Sequence, residues 1–191
     1  MAKLLVIGDS ISMGYTPHLR RHLVGQFDVT RCEGNGWDSG NVLSRLEGYL
    51  AAAGDVAMIL VNCGLHDIRR ERGGDGCQVP LEAYRRNVRA ILERLTAAAP
   101  TVVWVRTTPV DDERHRATHD KFDRLTADLD AYNAVADALV ADAGARVIDL
   151  HQAVLDAGVD TCIRDDGVHM TDDGYARLGA CVADAARDLS A

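Results

Sequence analysis

This chain has little with which to hold a nucleic acid, span a bilayer or cross-link itself. Its 21 lysines and arginines are outnumbered by 29 aspartates and glutamates, a formal net charge of −8 at pH 7. That balance argues against nucleic acid or an anionic membrane as the main partner. No apolar run approaches the ~20 residues of a membrane span. The longest, residues 56–61 and 102–105, are the size of strands. No secretory leader is expected, since Lys3 opens a strand-length run with no small-residue cleavage site, and a cytoplasmic location is the expectation. Cys32, Cys63, Cys77, Cys162 and Cys181 are odd in number and scattered, with no Cys-x-x-Cys pair. They read as reduced, mostly buried thiols rather than a disulfide framework or a zinc site. Repeats, low-complexity tracts and linkers are also missing, so residues 1–191 are expected to form one domain with a full core.

What is present is a regular alternation. Residues 3–7, 28–32, 56–62, 101–106 and 146–149 are rich in Val, Ile and Leu without strict alternation, as in strands buried on both faces. Helical spacing is expected over residues 16–24, 39–53, 80–98, 122–143 and 171–189. Tyr84, Val88, Ile91, Leu92 and Leu95 share one stripe of the third. Gly144 is placed to stop the fourth. Strands alternating with helices give an α/β fold, a parallel sheet covered on both faces by right-handed crossovers. Ligands in such folds bind at the carboxyl ends of the strands. The segments there are residues 8–10, 33–40 and 64–67, with residues 164–169 before the last helix, all on one rim.

Two of these segments hold the parts of a nucleophilic triad. Gly8-Asp9-Ser10 ends the first strand, and Asp166-Gly167-Val168-His169 precedes the last helix. A serine hydroxyl is a poor nucleophile at neutral pH and needs a neutral imidazole within hydrogen-bond reach. His169 serves if a carboxylate holds its other ring nitrogen, and the spacing favours Asp166 over the adjacent Asp165. The competing reading makes Asp166 a cap for the helix near Thr171 and His169 a surface residue.

In these blocks the sequence resembles the SGNH, or GDSL-type, hydrolase superfamily, nearly end to end. Gly8-Asp9-Ser10 matches its first block and Gly36, within residues 33–39, its second; Gly34 and Gly40 are alternatives. Gly64-Leu65-His66-Asp67 stands where the family has Gly-x-Asn-Asp, and Asp166–His169 matches the Asp-x-x-His block. The Gly-x-Ser-x-Gly elbow of α/β-hydrolases is absent around Ser10.

The resemblance implies a three-layer α/β/α sandwich on a five-stranded parallel sheet of flavodoxin-like order. It implies a serine esterase acting on a small-molecule ester, such as a carbohydrate ester, with no cofactor and no metal. Ser10 would be the nucleophile, with His169 as base and Asp166 orienting it. The amides of Ser10 and Gly36 would face the oxyanion. The third donor of the family is an asparagine, and His66 occupies its position, with Asn62 or Asn35 as substitutes. Asp9 and Asp67 are expected to hold loops, and Trp37, Asn35 and Asn62 to border the pocket. An acyltransferase using the same triad and a non-catalytic ligand-binding domain are the rival functions. His115 and His119 are expected in a mobile polar lid, and Arg69, Arg70 and Arg72 on a solvated edge. His18, His22 and His151 have no evident partner.

Overall fold

The computed structural model describes residues 1–190. Strand β1 (Ala2–Ile7) buries Leu4, Leu5, Val6 and Ile7 completely or nearly so, because it runs through the interior of the sheet. It pairs in parallel with β2 (Phe27–Arg31) on one side and β3 (Met58–Val61) on the other. Beyond β3 come β5 (Thr101–Val105) and β7 (Arg146–Ile148), also parallel, so the order is β2-β1-β3-β5-β7. This is the flavodoxin-like order, and its switch point lies between β1 and β3.

Helices cover both faces. On one, α2 (Ser39–Ala53), α3 (Leu81–Ala98) and α5 (Thr126–Asp142) pack side by side. Tyr84, Val88, Ile91, Leu92 and Leu95 form the buried stripe of α3. On the other, α1 (Ser10–His22) packs on α8 (Asp172–Asp188). Gly14 makes that approach possible, since a Cβ there would lie 2.1 Å from the Tyr175 ring. The helix after the first strand and the helix after the triad loop are thereby held together.

Strand and helix bounds shift by a residue or two from expectation, with two larger differences. Helix α1 starts at Ser10 rather than residue 16, because the Asp9 side chain caps it through the Ile11 amide at 3.0 Å and Pro17 is accommodated inside it. The expected helix over 122–143 begins only at Thr126. Before it, β6 (Phe122–Asp123) pairs antiparallel with β4 (Arg70–Glu71), docking this stretch onto the loop after β3. Residues 112–118 form helix α4 (Asp112–Thr118), and α6 (Leu150–Ala157) and α7 (Val159–Cys162) follow β7. All five cysteines are free. Among the described residues no helix is long and apolar enough to cross a membrane.

Candidate active site

Ser10 is the first residue of α1, so its N–H has no acceptor within the helix. Its Oγ lies 2.9 Å from His169 Nε2, although 158 residues intervene. His169 Nδ1 in turn lies 2.8 Å from Asp166 Oδ2. Asp166 Oδ1 accepts the amides of Val168 at 2.9 Å and His169 at 2.8 Å. Burial pushes the Asp166 carboxyl up, but those two amides and the imidazole outweigh it and hold it below the usual carboxylate range. An ionised carboxylate at Nδ1 fixes the proton there, leaving Nε2 to accept from the Ser10 hydroxyl.

The loop carrying Asp166 and His169 is a pinned hairpin. Ile163 bridges Met170, and the Arg164 amide donates to the His169 carbonyl at 2.7 Å. Gly167 turns it at φ 73°, and an added Cβ would meet the Asp111 carbonyl at 2.5 Å. Helix α8 is capped by Thr171 through the Gly174 amide at 3.0 Å, so Asp166 is not its cap. Asp165 is exposed.

Beneath Ser10, Asp9 is completely buried, and burial pushes its carboxyl up against the pull of the Ile11 amide and the Arg124 charge. The Gly36 amide, expected to face the oxyanion, instead donates to the Gly8 carbonyl at 2.9 Å. That bond ties the loop after β2 to the loop after β1, and a Cβ on Gly36 would sit 2.8 Å from the same carbonyl. Arg31 completes the clamp, donating to the carbonyls of Gly8 at 2.7 Å, Cys32 at 2.8 Å and Gly34 at 2.5 Å. Asn62 does not border an open pocket, being only 6% exposed with its Oδ1 against Gly8.

The rim facing the catalytic groups is built from two loops. Asn35 Oδ1 accepts the Trp37 amide at 2.8 Å and so helps hold Trp37 at φ 55°, a strained value for a bulky residue. Trp37 is half-exposed, and the His66 ring meets it edge-on at 4.9 Å. Burial, reinforced by the Arg124 charge, pushes His66 down to about 4, so near pH 7 it is neutral and carries one N–H.

Asp67 is buried, and both its oxygens receive the Ser39 amide, at 3.0 and 3.1 Å, tying this loop to the start of α2. Burial raises its carboxyl from 3.8 to about 7, against the opposing Ser39 bonds. The folded state therefore binds this proton more tightly than the unfolded chain. The resulting stability is present below the ordinary value and is lost as pH rises through about 7. Asp67→Asn cannot ionise. Its melting temperature relative to wild type is expected to climb by more than ~2 °C from acidic to alkaline pH. A constant difference contradicts the assignment.

Within residues 111–123, expected as a mobile polar lid, positions 113, 116–118, 120 and 121 are exposed while His115 turns inward. His115 is completely buried, its Nδ1 is 3.1 Å from the Asp166 carbonyl, and its ring packs on His119 and Phe122. Arg70 and Arg72 pair with Asp128 and Asp123. His151 Nδ1 lies 3.1 Å from the Thr107 carbonyl, and His18 contacts Arg21. Sequence reasoning missed Arg31 and Arg124. Arg31 ends a strand like any solvated residue, and Arg124 lies in a stretch that periodicity assigns to a helix.

The model of the GDSL-like lipase/acylhydrolase family matches residues 6–177. The chain belongs to this family. GDSL-type members hydrolyse esters, and this chain is an ester-hydrolysing enzyme of the SGNH fold. Its fold is similar to that of a lipase/acylhydrolase from Enterococcus faecalis, with a TM-score of 0.79 and 21% identity over 98% of this chain and 96% of that one. It is also similar to the acetyl xylan esterase Axe2 from Geobacillus stearothermophilus (TM-score 0.75, 16% identity, 95% and 92% covered). A third similar structure is TesA (TM-score 0.73, 21% identity, 98% and 99% covered). No curated protein matches the sequence. At these identities the structural likeness establishes the fold, and the family match carries the class of chemistry.

Proposed function

We propose that this GDSL-type hydrolase removes a small acyl group from a carbohydrate or small-metabolite ester through a Ser10 acyl-enzyme, the whole chain acting as one catalytic domain. The observation that carries the reading is the continuous relay from Ser10 Oγ to His169 Nε2 and from His169 Nδ1 to Asp166. Ser10 Oγ attacks the ester carbonyl carbon while its proton passes to Nε2. The tetrahedral intermediate collapses, and the departing alkoxide takes the proton from Nε2. Water then attacks the acyl-enzyme, giving its proton to Nε2, and the acid leaves as Ser10 regains a hydrogen. Asp166 stays ionised and stabilises the imidazolium.

Developing charge on the carbonyl oxygen needs donors that are not otherwise engaged. The Ser10 amide is one and the neutral His66 ring the second. The Gly36 amide, bonded to Gly8, serves by holding the loop. His66→Ala is expected to lower kcat by about a hundredfold while KM changes little. His66→Asn, restoring an N–H donor, should recover most of that loss. A loss below about threefold in the alanine variant removes His66 from the hole.

Acetyl xylan esterases among the structural neighbours support a carbohydrate ester as substrate. The test is pre-steady-state hydrolysis of p-nitrophenyl acetate with competing alcohol and amine acceptors. A p-nitrophenol burst followed by release of free acetate supports an acyl-enzyme that water resolves. Acetylated acceptor in place of acetate makes the enzyme a transferase, and a wild type with no turnover overturns the proposal.

A further inference from the structure

Arg124 is a cation buried beside the triad with most of its hydrogen-bonding capacity unused. It is 7% exposed. Its Nε donates to the Leu65 carbonyl at 2.6 Å, next to His66. Neither terminal nitrogen of the guanidinium has a hydrogen-bond partner among the described residues. On its other side the Phe122 ring, 5.1 Å away, packs on His115, whose Nδ1 contacts the Asp166 carbonyl. The guanidinium thus lies between the loop that carries His66 and the loop that carries Asp166 and His169. The pairing of β4 with β6 puts it there, because Arg124 directly follows β6.

A purely structural arginine this deeply buried is ordinarily matched by a carboxylate in contact. None touches Arg124. Asp9 and Asp166 are the acidic groups within electrostatic reach. Asp166 is occupied by His169 and two amides, while Asp9 receives the Ile11 amide on Oδ1 and its unpartnered Oδ2 makes no ion pair with Arg124. Arg69, 4.2 Å from the Phe122 ring, is itself paired with Glu71 and does not neutralise Arg124. Burial lowers the guanidinium to about 10, which leaves it charged at neutral pH. A desolvated cation with free, forked donors is suited to a planar oxyanion.

We propose that Arg124 receives a carboxylate of the substrate, so that the preferred ester bears a negative charge close to the scissile bond. This rests on the hydrolase reading and narrows its substrate class to esters of acidic molecules, such as a hydroxy acid, a sugar acid or a dicarboxylic half-ester. In a protein of charge −8 the unpaired Arg124 also favours an anion at this rim against the overall repulsion.

The test compares kcat/KM for matched esters differing in one charge. A p-nitrophenyl hemisuccinate against the neutral butyrate places the charge on the acyl side. An O-acetyl uronic acid against its methyl ester places it on the alcohol side. In wild type at least one pair is expected to favour the anion by about tenfold or more, and salt should reduce that preference. In Arg124→Gln the ratio for that pair should fall towards one, with Arg124→Lys intermediate.

No anionic preference in either pair overturns the proposal whether or not the variants fold. So does a preference that survives in a folded Arg124→Gln. Loss of the hydrolase reading gives a different signature, a wild type that cleaves none of the four esters.

Discussion

Replacing Ser10 with alanine is expected to reduce kcat by about 10⁴-fold or more, and replacing His169 with alanine should cost nearly as much. The two side chains meet at 2.9 Å and act as one device, since the hydroxyl is nucleophilic only when Nε2 takes its proton. The double variant should therefore be no slower than the slower single one, within a few-fold. Multiplicative losses would mean that the two groups work independently. Neither change should disturb the fold, because both residues are only partly buried and neither belongs to the apolar core.

Asp166→Asn should bring a comparable fall in kcat, about 10⁴-fold, with substrate still binding. The asparagine oxygen can still accept the amides of Val168 and His169, so the hairpin keeps its shape. Its NH₂ group, however, would face Nδ1, which must then become an acceptor and push the ring proton to Nε2. An imidazole with its hydrogen pointed at Ser10 cannot take the serine proton. The losses would appear in kcat with the protein still folded. A fall under about tenfold would mean that Asp166 anchors the loop but does not select the tautomer.

The regular parts of the fold were legible because their physics is local or periodic. Helix α2 (Ser39–Ala53) has the expected bounds, since the buried Val42, Leu46 and Tyr49 follow a helical period and Asp38 supplies the cap. The five main strands and their parallel order follow from apolar runs alternating with helices. The start of α1 was hidden because residues 10–15 lack a strong apolar period and Pro17 resembles a first-turn residue.

The candidate site was legible where chemistry is written in short spacings. Ser10, Asp166 and His169 stand out as residue types, and the fold brings them together. Hydrogen-bond commitments cannot be read that way. Nothing in residues 33–40 says that the Gly36 amide bonds Gly8, that Asn35 holds Trp37, or that Asn62 is enclosed. The burial of His115, in a stretch expected as a polar lid, was hidden for a related reason. The charged composition of that stretch suggests solvent, yet His115 turns inward to support the Asp166 backbone, and Phe122 carries Arg124 behind it. Such contacts depend on which loops the sheet order makes neighbours.

The most direct measurement is covalent: a fluorophosphonate probe is added to the purified protein and the modified residue is located by peptide mass spectrometry. A single adduct on Ser10, missing in Ser10→Ala and slowed at least about a hundredfold in His169→Ala, is the predicted result. No adduct, or one formed equally fast without His169, would contradict an activated serine at this site.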